Sequence, residues 1–224
     1  MTRQERSERT RNALIHSAAG LFDRHGYVQA CLSEISAGAG VSSGALHFHF
    51  RNKAALADAV EWSASRCLRR AAQRVHHGEG DALQALTDIS HVFAMLLRED
   101  VVVRAGVRLN GETDRVSGMD LRREWQHCVQ RLLTRAVDEG TFRPEMPLSC
   151  LASVVVAAST GFEVLGRANN VWLSRSSVTT FWQFMLPRMA AEHALPAVNP
   201  AGRDDAVHFS LMAPACGAGS PSSL

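Results

Sequence analysis

The sequence predicts an all-α protein: an N-terminal three-helix unit of helix-turn-helix form, followed by a larger helical domain. Three observations carry this. Apolar residues recur at helical spacing through most of the 224 residues. Strand-like alternation is absent. Glycines and capping residues punctuate residues 22–56 into short segments of the right lengths for two brief helices and a turn.

Leu14, Ala18, Leu21 and Phe22 form one apolar stripe, which predicts a first helix with Thr10 as its N-cap and Gly26 as its C-terminal glycine. Leu32, Ile35 and Ala39 give a second helix. Gly38 or Gly40 supplies the left-handed residue that turns the chain. Val41 packs the turn, and Ser42 caps a third helix of about two turns. In that helix Leu46 and Phe50 point inward and Phe48 partly so, leaving Ser43, Gly44, His47 and His49 outward. Asn52 caps a longer fourth helix through Leu56, Val60, Cys67 and Leu68.

Small residues and hydrogen-bond donors on a short, glycine-preceded helix suit entry into a DNA major groove, where base edges are read by hydrogen bonds and close approach. Charge agrees. Residues 1–53 hold seven Lys/Arg (3, 6, 9, 11, 24, 51, 53) against four Asp/Glu (5, 8, 23, 34), a net +3 within a chain of net +2. Positive charge concentrated on a groove-facing unit favours phosphate binding through counterion release. The expected DNA contacts are Arg3, Arg6, Arg11, Ser33, Ser42, Ser43, Gly44, Ala45, His47, His49 and Lys53, the chain's only lysine.

These spacings resemble the TetR family of bacterial repressors. The resemblance covers Arg11 to Leu56 and includes Phe22, Gly26, Tyr27, Ile35, Ala39-Gly40-Val41-Ser42, Gly44, Leu46, Phe50 and Lys53. More narrowly, residues 44–50 (Gly-Ala-Leu-His-Phe-His-Phe) and Arg122-Arg123-Glu124-Trp125 are similar to the γ-butyrolactone autoregulator receptors and pseudo-receptors. The chain departs from the family in carrying His47 where tyrosine is common, Ser43 where lysine or arginine is common, and Cys31 where a threonine caps the second helix.

Further helices are expected over 82–97, 101–109, 119–137, 148–165 and 178–189, with loops at 78–80, 110–118 and 140–147. The domain division is 1–53 for DNA binding, 54–194 for ligand binding and dimerisation, and 195–224 as a disordered Pro/Gly/Ser-rich tail. Candidate ligand-binding residues on core-facing stripes are Trp62, Phe93, Val107, Trp125, Cys128, Thr160 and Phe162. The resemblance implies that Trp125 is a pocket residue. No charged residue points into this pocket, which suits a neutral, lipophilic effector. The two apolar C-terminal helices imply, with the family, a four-helix homodimer whose recognition helices lie about one DNA turn, roughly 34 Å, apart on a pseudo-palindromic operator. Effector binding would favour a spacing unfit for DNA, with the fourth helix carrying the displacement.

Other classes fit less well. Gly40-Val41-Ser42-Ser43-Gly44 has the spacing of a hydrolase nucleophile elbow, but that motif needs a strand before the serine. His47 and His49, one residue apart on a helix, diverge, and neither they nor His76-His77 have acids or cysteines at ligand spacing. The reading is therefore not an enzyme, with no metal and no cofactor. Five scattered cysteines are expected as reduced thiols in a cytoplasmic protein, and no apolar run is expected to span a membrane. Two relatives of the main reading share the same DNA head: a regulator of drug efflux, and a constitutive pseudo-receptor that ignores ligand.

Overall fold

A computed structural model describes residues 2–76, 80–112, 117–143 and 145–206. Nine α-helices and two short 3-10 turns account for the described chain, and an isolated bridge between Phe142 and Ala190 is its only β pairing. The helices fall into two compact units.

The first unit takes residues from the ranges 1–68 and 100–120. α1 (Arg3–Gln29) is capped by Thr2, eight residues before the expected Thr10 cap, because Thr2 and Glu5 form a reciprocal capping box that satisfies the first amides. Gly26, at φ +75°, breaks the regular helix as its expected C-terminal glycine should. α2 (Leu32–Gly38) and α3 (Ser43–His49) follow, and then α4 (Lys53–His76), whose first turn is capped by Asn52 Oδ1 on the Ala55 amide at 2.8 Å. Leu14, Phe22, Ile35, Leu46, Leu56 and Val60 form one core.

α6 (Val101–Asn110) also belongs to this unit and adds Val102, Ala105 and Leu109 to the same core. Arg104 pairs with Asp23 at 2.8 Å, Arg108 donates to the Asp23 carbonyl, and the Tyr27 amide donates to Glu112 at 3.1 Å. Packing thus joins a distant helix to the N-terminal three, where a division along the chain ends at residue 53.

The second unit holds α5 (Ala82–Glu99), α7 (Leu121–Asp138), α8 (Leu148–Gly166) and α9 (Arg175–Met189). Asp81 caps α5 on the Gln84 amide at 2.8 Å, and Glu139 accepts from the Ala82 amide at 2.7 Å.

Three expectations change. Residues 195–206 are not a disordered tail. Asn199 donates to Gln84 at 2.6 Å, and Arg203 donates its amide and its Nε to fully buried Asp88, both at 2.8 Å. Polar side chains on α5 therefore tie this segment down, and the remainder of the expected tail, 207–224, lies outside the described residues. Cys31, Cys128 and Cys150 are free thiols, but Cys67 is disulfide-bonded, against the expectation of five reduced cysteines. Finally, α8 is long and apolar enough to cross a membrane by length and composition, with mean hydropathy 1.8, yet only 22% of that stretch is buried.

Candidate nucleic-acid interface

The turn between α2 and α3 is built by small residues. Gly40 adopts φ +66°, the left-handed conformation that glycine takes without a Cβ clash. Gly38 fills the other need, close approach: a Cβ there would lie 2.6 Å from Ser17 Oγ, which donates to the Ile35 carbonyl at 2.8 Å and pins α2 to α1. Ser42 Oγ accepts from the Ala45 amide at 3.1 Å and starts α3. A helix and turn precede Ser42, and its oxygen is engaged as a cap, so the nucleophile-elbow geometry is absent.

Leu46 and Phe50 anchor α3 in the core. Ser43, Gly44 and His47 are exposed, Ala45 and His49 are half-buried, and Ser33 is exposed on α2. Arg3, Arg6 and Arg11 are exposed along α1. The Arg11 guanidinium lies 5.3 Å from the Phe50 ring centroid, so it is held beside α3. Burial, and then the charge of Arg11, lower the pKa of His49, which keeps its ring neutral at physiological pH. A neutral imidazole offers one donor and one acceptor to a base edge or phosphate.

Two positions differ from the sequence reading. Lys53 was expected at a phosphate; its Nζ instead donates to the carbonyls of Val28 at 3.0 Å and Ala30 at 3.1 Å, and lies 4.8 Å from the Tyr27 ring centroid. The α1–α2 turn leaves those carbonyls without helical partners, and Lys53 satisfies them. Phe48, expected to point partly inward, is 80% exposed and meets His49 edge-on at 5.2 Å. Position 48 lies two residues from both anchors, Leu46 and Phe50, about 200° around the helix and so on the opposite face. That spacing was the available signal.

The ligand candidates divide between the units. In the first, Val107 is half-buried on α6. Trp62 is 57% exposed, not core-facing, because α4 buries Leu56, Ala57, Val60 and Ala64 and position 62 falls off that face. In the second unit, Trp125 is buried on α7 and its ring lies 4.6 Å from that of half-buried Phe93 on α5. Cys128 is half-buried one turn on, and burial pushes its thiol pKa up. Thr160 and Phe162 are half-buried on α8, and Phe162 packs edge-on against Phe181 at 6.0 Å.

Sequence reasoning missed Glu163. It is a charged residue 6% exposed, paired through Oε1 with Arg167 Nη2 at 2.5 Å, while its Oε2 is buried without a partner. Trp125 Nε1 and Trp182 Nε1 are likewise buried and unpartnered.

Residues 14–60 match the family model described as bacterial regulatory proteins, tetR family. The chain is 31% identical to the A-factor receptor protein of Streptomyces griseus over 92% of its own length and 72% of that protein's. Among solved structures it is similar to a γ-butyrolactone receptor described as an ArpA-like protein, with TM-score 0.74 and 30% identity over 88% of this chain and 95% of that one. It is also similar to CprB from Streptomyces coelicolor A3(2), with TM-score 0.75 and 32% identity over 86% and 95% of the two chains. CprB has further been solved in complex with its biological operator sequence, and that structure is 29% identical to this chain.

Proposed function

The chain belongs to the TetR family of bacterial regulatory proteins and is related to the γ-butyrolactone receptors, so it is a DNA-binding regulator and not an enzyme; from this we propose a transcriptional repressor, released from its operator by a small lipophilic γ-butyrolactone-like signal or antibiotic, that controls secondary metabolism. The observation that carries the reading is α3. It is a capped, two-turn helix whose anchors are buried and whose free face presents Ser43, Gly44, His47 and Phe48. Histidine and serine supply hydrogen-bonding groups for base edges and phosphates, and a phenyl ring suits a thymine methyl. Arg3, Arg6 and Arg11 supply the salt-sensitive phosphate contacts.

Homodimerisation is part of the proposal. Val154, Val164 and Leu165 on α8 and Phe184 on α9 are large apolar residues exposed on the single chain. A second copy would remove them from water and present two α3 helices to a pseudo-palindrome. Phe93, Trp125, Cys128, Thr160 and Phe162 are the proposed effector contacts.

The test is fluorescence anisotropy of the full chain on labelled DNA from its own upstream region, titrated with γ-butyrolactones and antibiotic end products. Saturable binding that loses affinity as salt rises, and that is reversed by a lactone or an antibiotic, is the expected result. Binding that no compound reverses would sink the ligand-released reading, and no binding would sink the regulator's choice of operator.

A further inference from the structure

α8 has its polarity reversed. Glu163 is its only charged residue, and it lies on the buried face with Ala152 and Val155, while Val154, Val164 and Leu165 face out. A second copy accounts for the outward apolar residues. Nothing in an ordinary core accounts for the inward carboxylate. Arg167, one turn on, satisfies Oε1 from the rim, with its Nε at 2.7 Å, and Oε2 remains buried and unpartnered. Such an oxygen costs stability, because it has given up water and gained no donor within the chain.

A donor with the same deficiency sits on the neighbouring helix. Trp125 is buried on α7 and its Nε1–H has no acceptor. α7 and α8 pack together, joined by residues 139–147. Gly140 at φ +73° turns the chain, and the amides of Thr141 and Phe142 fold back onto the Ala136 carbonyl, which ends α7. Counted from this turn at 1.5 Å per residue, Trp125 stands about 20 Å up α7 and Glu163 about 22 Å up α8. Both are buried in the same unit, at similar distances along two packed helices, and Phe93 lies against the indole ring as an apolar wall. They are not bonded to each other, since neither has a partner.

We propose that Glu163 is a specificity-determining residue of the effector site: its Oε2 accepts a hydrogen bond from a hydroxyl of a neutral effector whose carbonyl oxygen accepts from Trp125 Nε1. This rests on the reading of the chain as an effector-gated regulator. Arg167 already offsets the carboxylate charge, so the free oxygen suits a neutral donor better than a cation. An ionised carboxylic acid is acceptor-only and has no proton to donate to Oε2, so hydroxylated lactones are admitted and free carboxylic acids are refused.

Calorimetric titration of the full-length protein tests this with three probes of matched chain length: a γ-butyrolactone bearing an acyl chain and a free hydroxymethyl group, its O-methyl ether, and a straight-chain fatty acid. Wild type is expected to bind the alcohol at least tenfold more tightly than the ether, and the acid not at all. Glu163→Leu, which removes the acceptor, is expected to bind alcohol and ether alike. Glu163→Gln, which keeps the shape without the charge, is expected to admit the acid. The Leu variant should also melt no lower than wild type; a lower melting temperature together with unchanged ligand selection would make Glu163 a structural partner of Arg167 and overturn the proposal. Equal binding of alcohol and ether by wild type overturns it alone. Operator binding by a wild type that takes none of the probes overturns both this inference and the lactone reading. Selection of the alcohol through Glu163, with no release from DNA, supports the inference and overturns the proposed gating.

Discussion

Gly106 on α6 faces α4 so closely that a Cβ built on it would lie 2.4 Å from the Ala64 Cβ and 3.4 Å from the Val60 carbonyl oxygen. Ordinary carbon–carbon contact begins near 3.5 Å, so Gly106→Ala creates an overlap of about 1.1 Å between two helices, with no flexible side chain to yield. Overpacking of this kind costs about 1–3 kcal/mol, and an overlap of two Cβ atoms, neither of which can rotate away, belongs at the upper end. Alanine recovers up to about 1 kcal/mol over glycine in a helix interior, leaving a net loss near 2 kcal/mol. Gly20 on α1 is the control. A Cβ there meets only the mobile Arg24 guanidinium at 3.5 Å, so Gly20→Ala keeps the helix gain without a clash. Urea unfolding of both variants, followed by far-UV circular dichroism, should move their midpoints in opposite directions. A Gly106→Ala protein as stable as wild type would show that α4 and α6 separate freely, and would refute the argument that their approach is set by this glycine.

Three further outcomes are expected. Cys31 occupies the N-cap of α2 with extended backbone but makes no capping bond, so Cys31→Thr should stabilise the protein by about 1 kcal/mol, read as a rise of roughly 2–4 °C in Tm; no rise would mean the cap is immaterial. His91 is held below its ordinary pKa of 6.5 chiefly by burial, and its Nε2 lies 2.9 Å from the Pro200 carbonyl oxygen. As pH falls through 6.5 the unfolded chain takes up a proton that the folded chain resists, so stability should drop on acidification until the lowered folded pKa is reached. His91→Gln should flatten the dependence of Tm on pH between about 7 and 5.5, and an unchanged slope would exclude His91 as its source. Phe48→Ala, at an exposed position, should leave Tm unchanged and weaken operator binding about tenfold, or about 1.4 kcal/mol; unchanged affinity would remove Phe48 from the interface.

The DNA-binding head was legible because its signals are local. Ser42 and Asn52 cap the helices they precede, and Gly26 and Gly40 take the left-handed conformations their positions call for. The start of α1 was misplaced because Thr10 and Thr2 are both cap residues, and only Thr2 gains the reciprocal Glu5 bond. Illegible features depend on partners far away in sequence. Residues 195–206 have the composition of a linker, and what orders them is Gln84 and Asp88, about 115 residues earlier. Lys53 reads as a phosphate ligand until the Val28 and Ala30 carbonyls are seen beneath it.

Glu163 was hidden for a different reason. Periodicity locates the buried face of a helix by the contrast between apolar and polar residues, on the premise that the apolar side faces in. α8 offers almost no contrast, with one charge in 19 residues, and that charge violates the premise. The violation is informative because it is costly: a lone carboxylate placed inward while valines and leucine face water opposes both transfer terms at once. A folded chain tolerates such an arrangement where partners outside the chain reverse it, a second copy over the valines and a hydroxyl on the free oxygen. Dimer formation and effector selection would then be read from opposite faces of one helix, and a substitution at Val154 should alter assembly without altering the preference for alcohol over ether.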